Sequence, residues 1–411
     1  MSHDTPATFT DKVQGPRVEE KHPSHWGGVY AMSLCVFALI ASEFMPVSLL
    51  TPMAADLQVS EGTVGQGIAI SGLFAVLTSL SISNLARGMN RKTLLLALTG
   101  LMALSGGLIA LAPGYLPFMV GRALIGVVIG GFWSISAATA MRLVPASKVP
   151  RALAIFNGGN ALASVLAAPL GSYLGSLVGW RGAFFCLVPV AVLVFIWQRI
   201  SLPSMEAQVH VGKPGSVFGI FTAFKRPPIA WGMAACGSFF MGQFVLFTYV
   251  RPFLESVTRI DVATISLVLL VVGAAGFVGT VMIGRFLGKG LYRTLIVIPA
   301  LMALIAAALV PSGGWFAAVV VLMGLWGLMS TAAPVGWWSW VATAMPHNAE
   351  AGGGLMVAVV QTSIALGSTL GGLLFDSTGH RGTFLASAAV LVLASVLALV
   401  TARATRRAAA H

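Results

Sequence analysis

The chain has 411 residues, of which only 9% are Asp, Glu, Lys or Arg and 57% are hydrophobic. Soluble domains carry about 25% charged residues, so this composition excludes a soluble globule and a disordered chain. Continuous apolar runs of ~20 residues or more also exclude an outer-membrane barrel, whose strands alternate apolar and polar side chains. The net charge of +12 is read as topological rather than as a nucleic-acid footprint, because lopsided basic loops set membrane orientation.

In chain order, residues 1–26 are polar and lack the short apolar core of a signal peptide, which predicts a disordered tail. Six apolar segments follow, at about 27–53, 64–85, 93–112, 116–144, 150–175 and 180–201. A more polar stretch over 202–227 is the one long internal linker. Six more segments follow at about 228–250, 262–286, 291–310, 315–345, 350–374 and 381–402, and then a tail over 403–411. The pattern predicts an all-α integral membrane protein of twelve transmembrane helices, with a six-helix bundle over 27–201 and another over 228–402.

The basic residues test that count. If the N-terminal tail and every second connection share one side, 19 of the 24 Lys and Arg fall there. Only Arg181, Arg251, Arg259 and Arg381 fall on the other side, and Arg122 lies within a segment. A missed helix would scramble this split. By the positive-inside rule both termini are predicted cytoplasmic, in a multi-pass protein of the cell inner membrane.

The halves repeat each other. Residues 168–185 and 368–385 are identical at seven of 18 positions with an offset of 200, including Gly179/Gly379, Arg181/Arg381, Gly182/Gly382 and Phe184/Phe384. Six helices return the chain to the same side, so the repeat is parallel. Two parallel six-helix units are the architecture of major facilitator superfamily transporters, with the substrate site between the halves near the midplane.

Against this apolar background two charges stand out. Glu43, in Ser42-Glu-Phe-Met-Pro-Val47 of the first segment, is the one acid outside tails, loops and helix ends. Arg122, in the fourth, is the one base well inside a segment. Intramembrane charges are costly and mark functional sites. The two are expected at comparable depth in the outer half, either paired or sharing a polar cavity, with Glu43 as a proton carrier. The alternative is a static ion pair that holds two helices together.

Few other polar residues reach the midplane. Asn160, Gln243 and Gln361 offer amide donors and acceptors to a ligand, although interhelical hydrogen bonding is their ordinary use in membranes. Trp133 and Trp337 correspond between the halves and offer stacking faces. This set suits a neutral, planar solute with polar edges. A phosphorylated solute would need an arginine cluster. Cys35, Cys186 and Cys236 have no metal-ligand spacing, and no nucleotide-binding or hydrolase motif is present. Neither an enzyme nor a cofactor is expected. The short tails argue against a sensor with a soluble output domain.

Longer strings extend the likeness. Glu43-Phe-Met-Pro-Val-Ser-Leu-Leu-Thr-Pro-Met53, Gly130-Gly-Phe-Trp-Ser-Ile-Ser-Ala137, Gly242-Gln-Phe-Val-Leu-Phe-Thr-Tyr-Val-Arg-Pro252 and Pro334-Val-Gly-Trp337 resemble the drug:proton antiporters of the major facilitator superfamily, in particular their purine ribonucleoside efflux branch. The resemblance implies export of inosine, adenosine and guanosine, driven by a proton gradient, and a monomer is expected. The alternative cargo is a sugar or a drug. Arg122 matches the family's proton-coupling arginine. Ala168-Pro169-Leu170-Gly171 is similar to the antiporter motif, with Ala168 where the family has Gly. Arg87 stands where the family has an aspartate.

Overall fold

The computed structural model describes residues 24–85, 88–206, 225–345 and 349–409. The first 23 residues, the linker interior 207–224 and Arg87 lie outside that set. Among the described residues every long element is helical and none is a strand. Helix α1 is Trp26–Leu57, α2 Glu61–Leu85, α3 Arg91–Ala110 and α4 Tyr115–Arg142. The apolar run Val149–Ser201 is 53 residues long, enough for two spans. It breaks at Gly179, at φ 73° and ψ 167°, into α5 (149–178) and α6 (180–201). Helix α7 is Pro227–Phe247. A one-turn helix, Val250–Phe253, and a π turn, Leu254–Thr258, then lead to α8, Val262–Gly288. Gly290 separates α8 from α9, which ends at Ser312, and α10 is Phe316–Ala344. The final run, Ala349–Ala409, breaks at Gly379 (φ 66°, ψ −163°) into α11 (349–378) and α12 (380–409).

Among the described residues these breaks give twelve helices, as the hydropathy and charge pattern predicts. The two repeat glycines, 200 residues apart, make the same left-handed break between the last two helices of each half. Only glycine occupies that backbone region readily. Two boundaries differ from expectation. α1 runs to Leu57, closed by Gln58 in the left-handed region, so Glu43 stands near the middle of its helix rather than in its outer part. α12 continues through the expected tail to Ala409, with Arg406 and Arg407 in its last turn, where cations favour the helix dipole.

Outward faces are apolar. Leu104, Leu193, Val281, Leu304 and Leu373 are each at least half exposed, the inverse of a soluble surface and the face a bilayer covers. Inside each half the helices meet at small residues. α5 packs on α1 and α11 on α7; α4 packs on α2 and α10 on α8. A side chain at Gly126 would strike the Ser71 carbonyl, and one at Gly327 the Val272 carbonyl. The repeat therefore extends to the packing. The halves meet along α2 with α11 and α5 with α8. Among the described residues, α4 does not pack extensively on α10 or α11 at the basic end of the bundle.

Candidate functional site

Helix α1 carries two prolines, Pro46 and Pro52. Proline has no N–H, so each leaves the carbonyl four residues earlier without its helical donor. Those carbonyls belong to Ser42 and Ser48. Arg122 Nη1 donates to Ser42 O at 2.8 Å. The rest of the guanidinium is equally occupied: Nε donates to Gly67 O at 2.9 Å, and Nη2 to Glu43 O at 3.1 Å and Ser71 Oγ at 3.2 Å. Arg122 is fully buried and joins α4 to α1 and α2. It holds the backbone of Glu43 and forms no ion pair with the carboxylate, so direct charge pairing is not what this geometry contains.

The Glu43 carboxylate points the other way, toward the second half. Its Oε1 accepts from Gln361 Nε2 at 3.3 Å, and both residues are buried. Gln361 reaches it because α11 approaches α2 at a glycine: a Cβ on Gly72 would lie 2.9 Å from the Gln361 carbonyl oxygen. Next to Glu43, Phe44 stacks on Phe244 of α7 with ring centroids 5.7 Å apart. A carboxyl of the first half and an amide of the second therefore meet on the seam.

The other candidates are dispersed. Trp133 is half-buried on α4, edge-on to Phe132 and Phe156. Trp337 is 1% exposed and edge-on to Trp340 in the second-half core, so the two indoles do not frame a common gap. Asn160 is half-buried on α5, beside Gly159 where α5 crosses α1, and Gln361 bonds Glu43. Gln243 is half-buried on α7, and its Oε1 is enclosed without a donor. Sequence reasoning missed Ser71 and Gly67. The orphaned Ser42 carbonyl was legible from Pro46, but its donor was not. Among the described residues no cluster of three or more metal-ligating side chains occurs, and the three cysteines are free.

Among the described residues, twelve membrane-length helices in two parallel halves, with a buried carboxyl–amide contact on the seam between them, define a multi-pass membrane protein of the two-bundle transporter type. Residues 32–367 match the family model described as Major Facilitator Superfamily, and the chain belongs to that family. It is 65% identical over 92% of its length, and 94% of the relative's, to the transcription regulatory protein OpdE of Pseudomonas aeruginosa. It is 36% identical to the purine ribonucleoside efflux pump NepI of Salmonella typhimurium, over 93% of this chain and 95% of that protein. Among solved structures, the nucleoside transporter NupG superposes with a TM-score of 0.77 at 14% identity, covering 91% of this chain and 98% of that one. A bacterial homologue of the lysosomal transporter Spinster, in an inward-facing state, superposes at 0.73 and 16%, covering 92% and 97%. At those identities the likeness is one of fold.

Proposed function

We propose that this major facilitator superfamily transporter exports purine ribonucleosides in exchange for protons. It does so by alternating access across the inner membrane, with both termini cytoplasmic. The Glu43–Gln361 contact carries the reading. A carboxylate buried in a membrane protein is tolerated only while donors satisfy it. Among the described residues its one side-chain donor comes from the other half, so movement at the seam strips the carboxylate of that partner. Binding a proton then removes the unpaired charge. A purine base offers acceptors and N–H donors along its edge that match the Gln361 amide, so cargo and carboxylate compete for one group. Arg122 holds the segment that carries Glu43 in place. Trp133, Asn160, Gln243 and Trp337 supply the remaining cargo contacts, Trp337 after the seam rearranges. No cofactor enters; the proton gradient is the energy source and the monomer the working unit.

The resemblance to NepI supports the cargo class. Counterflow in proteoliposomes with labelled inosine, a sugar and a cationic dye, at two pH values, tests it. Inosine exchange that responds to pH is expected. Dye or sugar flux without inosine flux removes the nucleoside reading.

The regulatory name of OpdE favours a second reading, in which cargo export changes the intracellular level of an effector. In this reading the transcriptional effect follows from transport. A deletion phenotype rescued by wild type but not by Glu43→Gln is the expected result.

A further inference from the structure

The second proline of α1 repeats the arrangement of the first, with one difference. Pro52 frees the Ser48 carbonyl, and the donor that takes it comes from the opposite half: Arg251 Nη1, in the one-turn helix after α7. The sequence places Arg251 in a loop, yet it is 4% exposed. Its Nε is held by Glu255 Oε1 at 2.7 Å, which aims the guanidinium at α1.

A second link of the same kind lies nearby with the opposite sign. The first N–H groups of a helix lack internal acceptors. At the start of α2, Gly62 N–H donates to Asp376 Oδ1 of α11 at 3.1 Å, and the Ser60 hydroxyl donates to Asp376 Oδ2 at 2.6 Å. An anion at a helix N-terminus is favoured by the dipole. In both links an unsatisfied backbone group of the first half is satisfied by a charged side chain of the second. Between them lies a cavity of about 260 Å³ lined by Thr51, Glu61, Glu255 and Phe375, room for water once the links part.

We propose that Arg251 and Asp376 are the paired release points of the gate on the face opposite the basic loops. They hold it shut by satisfying the Ser48 carbonyl and the α2 N-terminus, and they let go when the transporter turns outward. The proposal rests on alternating access but on neither the proton nor the cargo. When the gate parts, both backbone groups pass to water, so neither is left unsatisfied in either state.

The experiment measures spin-label distances across the gate in the full chain. Labels go at Gly114 and Gly314, loop tips where a side chain meets open space, in a Cys186→Ser background, since Cys35 and Cys236 are buried. Arg251→Gln and Asp376→Asn are each expected to raise the long-distance population by about tenfold relative to the short one, the scale of one charge-assisted hydrogen bond. Pro52→Ala guards against trivial misfolding. It restores an N–H for Ser48 within α1, regularises the helix, and is expected to lengthen the distance without lowering thermal stability. Unchanged distances in monodisperse Pro52→Ala and Asp376→Asn would overturn the proposal. Failure of inosine transport with the distances shifting as expected would strike only the cargo reading.

Discussion

The amide of Gln361 donates to the carboxylate of Glu43 across the seam between the halves, over 3.3 Å. At that length the bond is near the outer limit of a good hydrogen bond. Arg122 meanwhile grips the backbone of the same residue from within the first half. Glu43 therefore has a main chain held within the first half and a side chain whose partner lies in the second.

Glu43→Gln keeps the shape and removes the titrating group. In proteoliposomes the variant is expected to retain inosine counterflow and to lose accumulation driven by a pH gradient. Uphill transport by this variant under a proton gradient would refute proton carriage by Glu43.

Gln361→Leu removes the donor and leaves the cargo without its amide. Inosine affinity is expected to fall by about tenfold, on the scale of one buried hydrogen bond, and the pH dependence of flux is expected to shift. An unchanged pH profile would detach Gln361 from the coupling.

The Pro46–Arg122 relationship is open to a double-mutant cycle. Arg122→Gln leaves the Ser42 carbonyl without a donor, whereas Pro46→Ala restores one within α1. The stability loss from Arg122→Gln is expected to be about 1 kcal/mol smaller in the Pro46→Ala background. Thermal unfolding in detergent reads it, and strict additivity would show that Arg122 does not serve that carbonyl.

Gly179→Ala and Gly379→Ala place a Cβ in backbone regions reserved for glycine. Each is expected to cost about 1–3 kcal/mol, seen as a lower unfolding temperature. Gly114→Ala, with φ near −168° and open space around it, is the neutral control.

The two tryptophans, both proposed cargo contacts, differ in how much packing each also supplies. Trp337→Ala empties a fully enclosed position and is expected to destabilise by about 3 kcal/mol. Trp133→Ala, at a half-buried position, is expected to weaken inosine binding with a smaller stability loss. Inosine binding by fluorescence or calorimetry, read beside thermal unfolding, is expected to weaken in both variants and stability to fall mainly in Trp337→Ala.

Much of this was legible from residues alone. Scarcity of charge singled out Glu43 and Arg122, since a charge is retained in an apolar run only where partners exist. The offset-200 repeat pointed to Gly179 and Gly379, whose backbone angles agree because one break must serve both halves. Apolar runs and basic loops determined twelve helices, because the bilayer imposes length and polarity on each segment separately. Tertiary structure alone decided the partners. Pro46 and Pro52 announce free carbonyls at Ser42 and Ser48, but nothing local says that Arg122 of the same half fills one and Arg251 of the other half the second. Nor does local sequence reveal that Arg251, in a loop by hydropathy, is buried, or that Trp337 packs away from Trp133. Those facts depend on how close helices distant in sequence come, and that approach is set by glycines such as Gly72 meeting a backbone on another helix.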